Sequence, residues 1–300
     1  KKSNELGILY NLNKPVFETL NDHFSFSELE KAISKIISTN VTNNKVELEN
    51  SLNNIRLLAL SNFTLNFSTE NISERAIYPA SPSQSNGLED ARFVRFEEDD
   101  GSVMYYATFT AYDGKTIMPA MLETTDFKEF SVSTLNGPAA KNKGMALFPR
   151  KINGCYMMLG RQDNESLYIM SSDNPYFWYD VKPLIKPTYN WEFIQIGNCG
   201  SPMEIEEGWL VLTHGVGAVR TYSLGVILLD KDDPSRVIGR LKKPLLEPAK
   251  EESAGYVPNV IYTCGAMVIG RTLLLPYAIG DVVTTFATIC IDELISEMED

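Results

Sequence analysis

Histidine is nearly absent: the 300 residues hold two, His23 and His214. Cysteine is scarce as well, and Cys155, Cys199, Cys264 and Cys290 stand far apart with no C-x-x-C pair. A zinc site needs clustered thiolate or imidazole ligands, so no metal is expected. Four isolated thiols in a chain of this length do not make a disulfide framework; they read as free thiols of a reducing compartment, which points to the cytoplasm. No apolar run approaches the ~20 residues of a membrane-spanning helix, and Leu273–Leu275 stops at Pro276. Basic residues are the minority, 27 Lys+Arg against 39 Asp+Glu, for a net charge of −12. That balance argues against nucleic acid and against an anionic membrane as partners. No signal-peptide pattern opens the sequence, which begins at Lys1 without methionine, so a trimmed N-terminus stays open. G-x-G-x-x-G and Walker-type loops and a nucleophile elbow are missing too, so nucleotide and serine-hydrolase chemistry are not expected.

What is present supports a folded core: 44% of residues are apolar and 22% charged. Residues 1–60 read as an N-terminal helical arm and 61–300 as one β domain. In the arm, Ser25-Phe26-Ser27-Glu28 has capping-box spacing, and Leu29, Ile33, Ile36 and Ile37 follow at helical intervals. Val46, Leu48, Leu52, Ile55 and Leu58 form a second amphipathic run. Packing or a subunit contact suits such faces, so a homo-oligomer is among the expectations.

From residue 61 the helical period gives way to short strands broken by Gly, Asp and Asn turns. The turn glycines Gly101, Gly154, Gly208 and Gly270 recur 53, 54 and 62 residues apart, each between two strand-like runs. Repeated units of this kind are the mark of a β-propeller, in which radial repetition disposes of sheet edges. Four units are visible, and residues 61–89 with the C-terminal strand are expected to close a fifth. The expectation is an all-β, five-bladed β-propeller carrying a helical arm; a β-sandwich is the rival.

The phase of the repeat predicts a site. Eleven residues before each turn glycine stand Asp90, Lys143, Gly197 (with Asn198 next) and Asn259. Hairpin geometry returns Tyr112-Asp113, Arg161-Gln162-Asp163, His214 and Tyr277 to the same end. One mouth of the channel then collects amides, carboxylates, aromatic faces and cations, which suit a sugar and an anion. Taken singly each residue has an ordinary role: Asp90 pairing Arg92, Lys143 solvated, Arg150 bracing a blade, His214 holding a strand end, Trp191 and Tyr189 packing between blades. Only their coincidence carries the functional reading.

Asn86-Gly87-Leu88-Glu89-Asp90-Ala91-Arg92 resembles the G-x-E-D-P-R segment of glycoside hydrolase family 130, the mannoside phosphorylases and related β-mannosidases. Further segments resemble the same family: Asn142-Lys143-Gly144 through Phe148-Pro149-Arg150-Lys151, Gly208-Trp209-Leu210 through His214-Gly215-Val216, Tyr222 through Asp230, and Gly255 through Val260. The likeness runs from about residue 70 to 290. It implies a five-bladed propeller, Asp90 as proton donor, and phosphate attacking a β-mannoside with inversion to give α-mannose 1-phosphate. Arg150, His214, Tyr222, Lys143 and Lys151 are the phosphate-binding candidates. Asn86, Glu89, Arg92, Tyr112, Asp113, Arg161, Asp163, Asn198 and Asn259 are the sugar-binding ones. Ala91 stands where the family often has proline, a departure that touches the local turn.

The expected partners are thus a β-mannoside and inorganic phosphate, with no other cofactor. β-1,2-Linked manno-oligosaccharides are the first linkage to test. Two alternatives stand beside this. An inverting β-mannosidase would need a second carboxylate such as Glu204 or Glu206 to activate water; a glycan-binding propeller would bind without turnover.

Overall fold

The computed structural model describes residues 10–21, 24–39, 44–249 and 256–299; His23 and Gly255 lie outside them. The chain opens with three helices, α1 (Tyr10–Phe17), α2 (Phe26–Thr39) and α3 (Lys45–Leu60). The capping box forms as its spacing predicts: the Ser25 amide donates to the Glu28 carboxylate at 2.7 Å and the Glu28 amide to Ser25 Oγ at 3.3 Å. Leu29, Ile33 and Ile36 of α2 meet Leu48, Leu52 and Ile55 of α3 and Val16 of α1 in a small core. Arg56 clamps α3 to Glu30 of α2 through contacts of 2.6 and 3.0 Å. Ile37 and Val46 are exposed. Ile37 stands one step, ~100°, from Ile36, and Val46 two steps from Leu48, so both leave the stripe.

Four antiparallel sheets follow in chain order. Sheet 1 contains β1 (Phe63–Asn66), β2 (Leu88–Glu97), β3 (Val103–Tyr112), β4 (Ile117–Thr124) and β5 (Glu129–Thr134), in the spatial order β1-β5-β4-β3-β2. Sheet 2 runs β6 (Ala146–Leu147), β7 (Tyr156–Gly160), β8 (Leu167–Ser172) and β9 (Asp180–Ile185). In sheet 3, β10 (Gln195–Asn198) and β11 (Met203–Glu204) both pair with β12 (Trp209–Val216), which β13 (Tyr222–Leu229) and β14 (Val237–Arg240) follow. Sheet 4 repeats that break: β15 (Ile261–Tyr262) and β16 (Met267–Ile269) share β17 (Thr272–Ile279), and β18 (Val283–Cys290) leads into α4 (Ile291–Ser296). Gly101, Gly154, Gly208 and Gly270 all have positive φ and sit in the hairpin turns where the repeat puts them.

The first strands face one another. The Glu97 amide of β2 donates to the Pro149 carbonyl beyond β6 at 2.9 Å. Between sheets 3 and 4 the interruptions touch: a Cβ on Gly200 would lie 2.7 Å from the Gly265 Cα, so only glycine permits the approach. Apolar side chains fill three seams. Phe96 and Met121 of sheet 1 meet Leu147 and Met158 of sheet 2. Phe148 and Ile169 of sheet 2 meet Trp209 and Ile227 of sheet 3. Leu212 and Val226 of sheet 3 meet Leu273, Leu275 and Ile291.

Among the described residues the ring is propeller-like with four sheets, not five. Residues 61–89 do not open a further blade, because β1 pairs with β5, setting Phe63 opposite Val132 and Leu65 opposite Phe130 within the apolar face of sheet 1. The C-terminal strand β18 completes sheet 4 on β17. The fourth seam, between sheets 4 and 1, is therefore open: a cleft of about 700 Å³ lies there, and Phe286 on its wall is 66% exposed. Four separate sheets with a matched phase also dispose of the sandwich. Among the described residues no helix is long and apolar enough to cross a membrane.

Candidate active site

Asp90 sits on a β-bulge. Glu89 pairs with Thr110 and Arg92 with Thr108, so Asp90 and Ala91 together oppose one residue of β3. Asp90 adopts φ 55°, a left-handed conformation that costs a non-glycine residue about 1–3 kcal/mol. The bulge ends the alternation of β2 and leaves the Asp90 carboxylate half-buried at the rim of the open cleft.

Behind it lies Arg92, whose side chain is 2% exposed. Its Nη2 donates to Tyr262 Oη at 2.9 Å and lies 3.4 Å from Asp90 Oδ2. Tyr262 Oη is itself 3.4 Å from the same Asp90 oxygen. Burial pushes the Tyr262 phenol well above its ordinary range, so it stays protonated. The Arg92 Nε is buried without a partner.

His214 of β12 stands opposite Gly197 of β10, and a Cβ on that glycine would lie 2.6 Å from the imidazole Cε1. The ring is buried, nearly parallel to Tyr222 at 5.9 Å and tilted against Tyr262 at 5.1 Å. Its Nε2 lies 3.2 Å from Arg161 Nη1 and 3.1 Å from the Gln195 side-chain amide. On its other side Nδ1 faces Cys199 Sγ at 3.4 Å. Burial, then the charges of Arg161 and Arg92, hold the imidazole well below its ordinary pKa.

That shift has a measurable consequence. The unfolded imidazole takes up a proton near pH 6.5 and the buried one resists it. The stability it contributes is complete above pH 6.5 and falls as pH drops below that value, by at most about 1.4 kcal/mol per pH unit. Thermal melts from pH 7 to 5.5 should show this decline in the wild type and a flatter one in His214→Gln. Equal slopes would remove His214 as its source.

Arg161 follows the end of β7. Burial disfavours its charge and pulls its pKa below the usual value, yet a guanidinium remains charged at neutral pH. Its Nη1 meets the neutral imidazole and the oxygen of the Gln195 side-chain amide, its Nε is buried without a partner, and no carboxylate among the described residues lies within ion-pair distance. Nearby, Asn198 is fully buried with Oδ1 unpartnered, close to where a side chain on Gly144 would begin. Lys143 forms an ion pair with Glu89 across the seam of sheets 1 and 2 and lies 5.8 Å from the centre of the Tyr112 ring. The Asn259 carbonyl accepts from the Tyr222 amide at 2.9 Å.

The other candidates are engaged in local structure or stand elsewhere. Asp113 Oδ1 accepts from the Lys115 and Thr116 amides, and Asp163 Oδ1 from those of Glu165 and Ser166; both carboxylates brace turns. Asn86 is exposed in the turn that precedes β2. Arg150 and Lys151 stand apart from the other phosphate-binding candidates. The Pro149 carbonyl pairs with Glu97, seven residues along β2 from Asp90, or roughly 20 Å at 3.3 Å per residue. There Arg150 holds Glu204 through contacts of 2.8 and 2.9 Å and Lys151 holds Asp99 at 2.7 Å, on the wall of an 810 Å³ cavity at the opposite mouth. The spacing carries the reason: Arg150 is four residues before Gly154, at the turn end, whereas Lys143 is eleven before it.

A family model described as beta-1,4-mannooligosaccharide phosphorylase matches residues 36–300. The chain belongs to glycoside hydrolase family 130. It is 38% identical over 205 residues to a 1,2-beta-oligomannan phosphorylase of Thermoanaerobacter sp. (strain X514), covering 66% of each chain. It is 33% identical over 186 residues to a beta-1,4-mannooligosaccharide phosphorylase of Ruminococcus albus, covering 57% of this chain and 55% of that one. Among solved structures, the beta-1,2-mannobiose phosphorylase of Listeria innocua in complex with beta-1,2-mannobiose superposes with a TM-score of 0.66 at 32% identity, over 74% of this chain and 63% of that one. The match thus spans about two-thirds or less of the relatives' length. Two site residues, Tyr262 and Gln195, were not among the candidates. Tyr262 lies three residues after Asn259 on the first strand of the fourth unit, and that position was the one signal available for it.

Proposed function

We propose that this protein is an inverting β-mannoside phosphorylase, with β-1,2-linked manno-oligosaccharides as substrates, inorganic phosphate as co-substrate and no other cofactor. The charge balance behind Asp90 carries the reading. Two guanidiniums, the buried Arg92 and the half-buried Arg161, face a single carboxylate, and no carboxylate among the described residues lies within ion-pair distance of Arg161. A chain of net charge −12 keeps an unneutralised cation next to its candidate acid, which suits an anionic nucleophile. The β-1,2 linkage draws its support from the relatives of that specificity at 38% and 32% identity.

In this reading Asp90 gives a proton toward the leaving sugar's oxygen as the bond from C1 to that oxygen breaks. A phosphate oxygen held by Arg161, with His214 and Tyr222 as the adjoining wall, bonds to C1 from the opposite face. The products are α-mannose 1-phosphate and the shortened sugar, and Asp90 is reprotonated through solvent, which takes up the proton the phosphate releases. Because phosphate arrives already anionic, no carboxylate base is required. A hydrolase would need one. Glu204 is tied to Arg150 and Lys231, and the exposed Glu206 is in the turn before Gly208, both at the end of β11 away from Asp90. A phosphorylated product is retained inside a cell, which fits a cytoplasmic enzyme with four free cysteines.

The test is formation of α-mannose 1-phosphate from β-1,2-mannobiose with and without phosphate. Equal sugar release in both would sink the phosphorylase reading, and binding without turnover would favour a glycan-binding module. Within the reading, Arg161→Ala should raise the phosphate KM about 10- to 100-fold, the loss of a contact worth about 1.5–3 kcal/mol. Arg150→Ala should leave that KM within twofold. The reverse ranking would return the anion site to Arg150.

A further inference from the structure

Tyr262 joins the two halves of the site. Its hydroxyl takes a hydrogen bond from Arg92 Nη2 at 2.9 Å and lies 3.4 Å from Asp90 Oδ2, while its ring leans on His214 at 5.1 Å. Since Arg92 donates to the phenol oxygen, the phenol hydrogen is free to point at Asp90 Oδ2. Arg92 Nη2 also approaches that oxygen, at 3.4 Å. Asp90 Oδ2 therefore faces two donors and no acceptor. Oδ1 meets a different environment: Cys264 Sγ at 3.9 Å, on the side of the open cleft. The Cys264 thiol, raised by burial and the neighbouring Asp90 to about 11, stays neutral and competes weakly for that oxygen. Contacts of 3.4 Å are long, as such bonds commonly are before substrate arrives.

We infer that Tyr262 is a positioning residue that reserves Asp90 Oδ2 as a hydrogen-bond acceptor, so that the proton Asp90 transfers is carried on Oδ1. A carboxylic acid with two donors aimed at one oxygen has its own hydrogen on the other. The bulge at Asp90 and Ala91 presents the carboxylate, and Tyr262, arriving from sheet 4, sets its rotation. The role differs from that of the anion site, since no group that binds phosphate in the proposed reaction depends on the Tyr262 hydroxyl. The inference rests on Asp90 being the acid of the phosphorylase reading.

The experiment uses Tyr262→Phe, which keeps the ring and removes only the hydroxyl. On β-1,2-mannobiose its kcat should fall about 10- to 100-fold, with the phosphate KM within twofold of wild type. On 2,4-dinitrophenyl β-mannoside, whose leaving group departs without a proton, its rate should match wild type. Equal losses on both substrates, unchanged kcat on mannobiose, or a raised phosphate KM with kcat retained would each overturn the assignment. Infrared difference spectra give a readout that needs no turnover. In spectra recorded at a pH acid enough to protonate Asp90, its carboxylic C=O stretch, assigned as the band lost in Asp90→Asn, should move to higher frequency in Tyr262→Phe when Oδ2 loses its donor, and an unmoved band refutes the proposal. Wild type forming no mannose 1-phosphate from any β-mannoside would instead remove the phosphorylase reading, while the infrared comparison still decides the contact.

Discussion

Replacing Asp90 by Asn should lower phosphorolysis of β-1,2-mannobiose by about 10²- to 10⁴-fold, the contribution of a positioned general acid. The substitution isolates the chemistry. Asn is the side chain nearest in shape, and it tolerates the left-handed φ of 55° at this bulge, as Asn142, Asn153, Asn164 and Asn259 do elsewhere in the chain. Arg92 loses its counter-charge but keeps Tyr262 Oη as acceptor at 2.9 Å. The melting temperature should therefore move by a few degrees at most, while Asp90→Ala, with no polar side chain to favour that conformation, should melt lower than Asp90→Asn. Activity with mannobiose is the decisive measurement. An Asp90→Asn enzyme within tenfold of wild type would show that the proton comes from another group.

The largest expected loss of stability lies far from the chemistry. Glu192 is completely buried in the turn Asn190–Glu192, where Oε1 accepts from the Thr188 and Tyr189 amides at 2.9 and 3.0 Å and pairs with Arg240 of β14. The Arg240 guanidinium also lies over the Tyr189 ring at 4.7 Å. Trp191, in the same turn, packs so closely on Gly215 and Gly225 that a Cβ on either would lie 2.4 Å from its ring. Arg240→Met leaves the carboxylate buried without its cation and should cost about 3–5 kcal/mol. At about 2–4 °C per kcal/mol the melting temperature should drop by roughly 6–20 °C. Adding Glu192→Gln should recover much of the loss, because the amide keeps an oxygen for the Thr188 and Tyr189 N–H groups and carries no charge. A single variant melting within 2 °C of wild type would show that water or another group neutralises Glu192.

Tyr189 and Trp191 illustrate how far residue types alone could lead. From composition they suited a sugar platform as well as packing; the glycines opposite Trp191 decide for packing. The repeat fared better. Hairpin turns need positive φ, glycine supplies it at least cost, and so four turn glycines at near-equal spacing exposed four sheets before any coordinates. The same phase brought Asp90, Lys143, Asn198, His214 and Asn259 to one end of the first strands. Counting failed where pairing decided the outcome. Residues 61–89 hold enough apolar side chains for a strand, and only their match to β5 sends them to sheet 1 in place of a fifth blade. Arg150 stood among the phosphate-binding candidates by its motif, whereas its distance from Gly154 sets it at the other mouth.

Local signals are legible in the chain because they depend on neighbours a few residues away. By itself the sequence determined the capping box at Ser25–Glu28, the helical arm, the strand repeat and the family, and it singled out Asp90 as the candidate acid. The tertiary structure alone decided which cation faces that acid, which carboxylates are already paired, and that Tyr262, 172 residues from Asp90, shares its oxygen. Those facts depend on contacts between sheets, where a few ångströms separate an ion pair from an unneutralised charge, and no spacing along the chain encodes a distance across a seam.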